Sequence, residues 1–86
     1  MQDDIQYITK KELLEKANDI IRKHDDYIHG MFVDTVEQHR GTLVFKGEFF
    51  LDEKGIPSIK STAAFNMYKH LAHILSEQYR LTENES

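Results

Sequence analysis

A chain of 86 residues with a single proline, no linker-like stretch and no internal repeat has room for one hydrophobic core. Hydrophobic residues at 40% and charged residues at 30% exclude a disordered chain. The absence of cysteine excludes a disulfide framework, a thiolate metal site and a cysteine nucleophile, and a net charge of -4 disfavours contact with a phosphate backbone.

The opening Met1-Gln2-Asp3-Asp4 is acidic where a secretory signal is basic, and residues 1–8 read as a flexible lead. No apolar run approaches the roughly 20 residues of a membrane helix. A soluble protein of the reducing cytoplasm is the expectation. The first strong signal follows at Thr9, which is placed to cap a helix whose third residue is Glu12, with Ile8 and Leu13 as a hydrophobic staple. Leu13, Leu14, Ala17, Ile20, Ile21 and Ile28 then fall on one arc at helical spacing, which predicts an amphipathic helix ending near Gly30. His24 projects into the middle of that arc.

After Gly30 the period changes to two. Residues 31–38 and 42–51 are rich in β-branched and aromatic side chains and flank His39-Arg40-Gly41, which predicts a β-hairpin. A two-residue Arg40-Gly41 turn sets Val36 opposite Phe45 and Phe32 opposite Phe49. Phe32, Val36, Leu43, Phe45, Phe49 and Leu51 are then gathered on one face. Arginine suits the left-handed first turn position poorly, so a three-residue loop is the alternative.

Asp52-Glu53-Lys54-Gly55 reads as a turn, and Pro57 restricts any third strand to a short edge piece. A second helix is expected to start between Ser58 and Thr62 and to run to about Arg80. Its apolar arc of Ala64, Met67, Tyr68, Leu71, Ala72, Ile74, Leu75 and Tyr79 is wide. The expected fold class is α+β: helix, β-hairpin, helix, with both helices on one face of the hairpin. It forms a single domain over residues 9–81, with 82–86 as a frayed tail.

The stretch Gly47-Glu48-Phe49-Phe50-Leu51-Asp52-Glu53, with Gly55, Pro57, Lys60-Ser61-Thr62-Ala63, Phe65-Asn66-Met67 and Lys69-His70-Leu71-Ala72-His73, resembles the YciN family of small proteins from enteric bacteria. Leu13-Leu14, Ala17-Asn18 and Ile20-Ile21-Arg22 extend the resemblance into the first helix. The resemblance implies a cytoplasmic bacterial protein with a compact α/β domain, and it carries over no catalytic or ligand residues. His39-Arg40-Gly41 departs from the asparagine-glycine turn of that family.

Several side chains are candidates for chemistry, each beside an ordinary alternative. His70, His73 and Glu77 lie on the polar side of the second helix at metal-ligand spacing, though a solvated helix face explains them as well. His24 is a candidate pH-sensitive group or a neutral core histidine. Lys60-Ser61-Thr62 at a helix start suits an anion or ordinary capping. The paired carboxylates Asp25-Asp26 and Asp52-Glu53 offer acid-base chemistry but fall at turns. Catalytic residues, cofactors and a resident metal are all expected to be absent.

The favoured expectation is a non-enzymatic protein-binding module acting through the hairpin edge or its outer face. The interface residues are Met31, Val33, Thr35, Val44, Lys46 and Phe50, with a protein partner or a homodimer. Nucleic-acid binding through Arg40, Lys46, Lys54, Lys60 and Lys69 is the second reading.

Overall fold

Thr9 caps the first helix with its hydroxyl, which accepts the Glu12 N–H at 3.1 Å, while Ile8 and Leu13 are buried beside it. The computed structural model describes residues 5–82; residues 1–4 of the expected lead and 83–86 of the expected tail lie outside the described residues. The elements in chain order are β1 (Gln6–Ile8), α1 (Lys10–Lys23), β2 (Val33–His39), β3 (Thr42–Gly47), α2 (Ile59–Ser76) and β4 (Tyr79–Leu81). This is the small α+β fold expected from the sequence.

Helix α1 stops at Lys23 and not near Gly30. At His24 the backbone turns extended (φ -81°, ψ 145°), and the imidazole Nδ1 accepts the Asp26 N–H at 3.0 Å. Side-chain bonds of this kind compete with the helical ladder, and Asp25-Asp26 face the negative helix end. His24 therefore caps the helix, with its side chain 31% exposed, and does not sit inside the apolar arc.

Strands β2 and β3 pair antiparallel through a two-residue turn in which Arg40 (φ 56°) and Gly41 (φ 84°) are both left-handed. Val36 faces Phe45, as the turn requires, and Val36, Leu43 and Phe45 are buried. Beyond Thr35 the register shifts: Thr35 pairs with Lys46 but Val33 with Gly47, so Asp34 is an extra residue in the ladder. That bulge turns Val33 onto the core side. Met31 and Val33 are thus buried, the expected Phe32–Phe49 pairing does not form, and Phe32 and Leu51 stand 43% and 48% exposed.

Helix α2 ends at Ser76, four residues short of Arg80. The chain continues into β4, which pairs parallel with β1: Gln6 with Tyr79, Tyr7 with Arg80, Ile8 with Leu81. Residues 6–8, expected as part of the lead, are therefore a strand. No strand forms around Pro57.

The core lies between the helices and the hairpin, with α1 against β2 and α2 against β3. Leu13, Ala17 and Ile21 meet Val33, Val36, Leu43 and Phe45 there, with Ala64, Met67, Tyr68, Leu71 and Leu75 from α2. Each large side chain so buried contributes about 1.5–3 kcal/mol.

Candidate functional site

The six residues expected to form an interface do not share a surface. Met31 and Val33 belong to the core, Phe50 lies half-buried in the loop after β3, and Thr35, Val44 and Lys46 remain on the hairpin. Beside them, Glu37 bonds the His39 ring at 3.0 Å and stands 4.0 Å from the Lys46 ammonium. The hydrogen bond from His39, and then the charge of Lys46, hold the Glu37 carboxyl below its ordinary value. A surface so charged favours water over a partner's apolar side chains.

One position on each hairpin edge is bonded by a helix side chain. The Asn18 carboxamide bonds both backbone groups of Val33, and the Ser76 hydroxyl accepts the Leu43 N–H at 2.8 Å. Each helix thereby supplies a side chain where a foreign strand would otherwise pair.

Exposed apolar surface gathers instead at the opposite end of α2. Asp52 Oδ1 accepts the N–H groups of Lys54 and Ile56, folding the loop back on itself. Phe50 sits at φ 58°, and its carbonyl accepts the hydroxyls of Ser58 and Ser61. Those serines also form a reciprocal cap for α2, so the loop is pinned to the helix start. The result leaves Leu51, Ile56 and Ile59 at 48%, 53% and 90% exposure. Phe65, 40% exposed, stacks its ring 4.7 Å from that of Phe49, and the carbonyl of Phe32, 43% exposed, accepts the Tyr68 hydroxyl. Sequence patterning missed this surface because Ile56 and Ile59 are single apolar residues among turn and charged residues, and the hairpin pattern assigns Leu51 to the inner face of the second strand.

The proposed His70, His73 and Glu77 set does not converge. His73 pairs with Glu77 at 3.7 Å, whereas the His70 ring meets that of His24 at a centroid distance of 5.4 Å and 71°. Those two rings line a pocket of about 390 Å³ with Asp26, Ala63, Asn66 and Met67. Among the described residues, no three His, Asp or Glu side chains converge as a metal set.

The remaining candidates serve local structure. Ser61 is buried in the α2 cap, its N–H directed to the Ser58 hydroxyl, and the Lys60 ammonium lies 5.9 Å over the Phe50 ring. Asp52 holds its own turn. The basic set is dispersed: Arg40 is at the hairpin turn near the end of α2, where the Gly41 position abuts Arg80, and Lys60 is at the helix start. An 18-residue helix separates the two by about 25 Å.

Residues 4–82 match the family described as Protein of unknown function (DUF2498). The chain belongs to this family. Protein YciN of Escherichia coli strain K12 is 52% identical over 83 residues, covering 96% of this chain and 100% of that relative. Proteins of the same name from Escherichia coli O6:H1 and O157:H7 match to the same extent. The resemblance seen in the sequence is therefore borne out over nearly the whole chain. Among the described residues no helix is long and apolar enough to cross a membrane.

Proposed function

We propose that this protein is a non-enzymatic, cytoplasmic protein-binding module that pairs with a second copy of itself through the apolar end built from the 48–58 loop and the first turns of α2. The observation that carries this reading is the exposure of Ile59, at 90%, with Leu51, Ile56, Phe65 and Phe32 between 40% and 53% exposed. At about 200 Å² for a fully exposed large apolar side chain, these five leave on the order of 500 Å² in water, at the upper end for a monomer's largest patch. Two such surfaces meeting face to face bury about 1,000 Å², short of the roughly 1,200–2,000 Å² of a stable interface, which corresponds to a weak, concentration-dependent dimer.

The bonds to Val33 and Leu43 at the hairpin edges and the charged outer face favour this end over the hairpin. A cysteine-free chain suits a reducing compartment. Nucleic-acid binding has less support, because Arg40 and Lys60 stand at opposite ends of α2.

Light scattering coupled to size-exclusion chromatography is expected to give a dimer. The double substitution Ile56→Glu, Ile59→Glu is expected to weaken association by on the order of a hundredfold while circular dichroism stays unchanged. A monomer at millimolar chain concentration, or a dimer indifferent to both substitutions, overturns the reading.

A further inference from the structure

We infer that the groove between β1 and the exposed flank of α1 binds an extended, basic peptide segment of a partner protein, which adds to β1 as an antiparallel strand and sets its arginine or lysine side chains against Glu12 and Glu15. The edge of β1 is the first argument. The Gln6 N–H bonds the Gln78 carbonyl and the Thr82 N–H bonds the Ile8 carbonyl, so Gln6 and Ile8 face β4 in this parallel ladder. Tyr7, between them, turns its N–H and C=O the other way. At the far edge of the same sheet the Leu81 N–H is taken by the Gln38 carboxamide oxygen at 2.7 Å. The backbone of Tyr7 has no such bond among the described residues, and Tyr7 is 71% exposed.

The space beside that edge is the second argument. All three residues of β1 line an open groove of about 490 Å³, whose other wall is α1 from Glu12 to Arg22. Ten residues of helix span about 15 Å, the length of roughly four to five residues of extended chain. An antiparallel strand lying there exchanges both main-chain bonds with Tyr7, and its alternate side chains point into the groove.

Charge selects the occupant. Within the groove, Asp19 is held by Lys23 at 3.1 Å and by Arg22 at 3.5 Å, and the Lys16 ammonium stands 5.9 Å over the Tyr79 ring. Glu12 and Glu15, one turn apart, have no ion-pair partner among the described residues. Two uncompensated carboxylates on a chain of net charge -4 attract a basic segment and repel an acidic one. Tyr79 already seats one cation on its ring, and the exposed ring of Tyr7 offers a second such face.

The test is fluorescence anisotropy at low ionic strength with a labelled, amidated heptapeptide, Arg-Val-Arg-Val-Arg-Val-Arg. Saturable binding of one peptide per chain is expected, with the Tyr7 amide gaining protection from hydrogen exchange. Glu12→Gln, Glu15→Gln is expected to weaken binding tenfold or more, whereas Asp25→Asn, Glu53→Gln, the same change of charge elsewhere on the surface, leaves it within about twofold. Glu15→Gln alone, outside the helix cap, is expected to weaken it threefold or more, and circular dichroism checks every variant. The same peptide N-methylated at every residue keeps its charge but has no main-chain donors, and is expected to bind at least tenfold more weakly. No saturation at millimolar peptide, equal affinity for the Glu12 and Glu15 variants or for the N-methylated peptide, or an unprotected Tyr7 amide overturns the inference. Protection of Tyr7 already present without peptide and lost on dilution gives the edge to a second copy and overturns it too. The groove lies beside β4, beyond the end of α2, and the apolar end lies at the start of that helix, so the site stands or falls separately from self-association.

Discussion

The side-chain carboxamide of Asn18 bonds Val33 as a neighbouring strand would, accepting its N–H at 2.8 Å and donating to its carbonyl at 2.9 Å. Both groups belong to the bulged end of β2, where the ladder to β3 is irregular. Asn18→Leu keeps the shape of the side chain and removes both bonds, leaving a donor and an acceptor without partners. A loss of about 2–3 kcal/mol is expected in urea denaturation, with faster hydrogen exchange at the Val33 amide. Unchanged stability would show that water replaces the carboxamide without cost.

Tyr68 closes the other side of the same junction. Its hydroxyl lies 2.9 Å from the Phe32 carbonyl and 2.5 Å from that of Glu48, and burial pushes its pKa from 10.0 up to about 12. Because the folded value exceeds the unfolded one, this contribution is complete below pH 10. It is lost as the pH rises through about 12, where the folded chain has to accept a buried phenolate. Tyr68→Phe is expected to cost about 1–2 kcal/mol at neutral pH and to flatten the fall in stability between pH 10 and 12. Denaturation midpoints of both chains across that range measure the difference.

Arg40 occupies the left-handed region at φ 56°, where an arginine side chain is strained and asparagine or glycine is not. Arg40→Asn is expected to stabilise the hairpin by about 0.5–1 kcal/mol and to raise Tm by a few degrees. Calorimetry decides the sign; a lower Tm would mean that the arginine makes a contact that outweighs its backbone strain.

What the sequence made legible was local. Thr9, Glu12, Ile8 and Leu13 lie within one turn of one another, so the start of α1 is readable directly. Its end depends on whether His24 and Asp26 bond each other or leave the helical ladder intact, a competition that periodicity does not register. The hairpin register near Arg40-Gly41 follows from the turn, yet Met31-Phe32-Val33 is apolar at every position, so either parity satisfies the pattern and the bulge at Asp34 is invisible. Strands β1 and β4 are three residues each and pair across nearly the whole chain. The apolar end of α2 and the meeting of His24 with His70 are likewise products of tertiary folding, and no spacing rule brings those residues together.

Gly47 shows how tightly the bulge is built. It pairs with Val33, and a methyl group added at its Cα would overlap the Phe32 carbonyl oxygen and come within 2.5 Å of the Val33 Cα. Both obstacles are backbone, so no rotamer change relieves them. The strands would have to separate at the point where Tyr68 bonds Phe32 and Glu48 and Asn18 bonds Val33. Gly47→Ala is therefore expected to destabilise the protein by about 3 kcal/mol or more, enough to leave much of a small domain unfolded at ambient temperature. A control at Gly55, where an added methyl meets nothing within 4 Å but the backbone is left-handed at φ 79°, is expected to cost only about 1–2 kcal/mol. Urea midpoints for the two variants compare steric overlap with backbone strain. Equal losses would mean that the close approach at Gly47 does not set the register of β2 against β3.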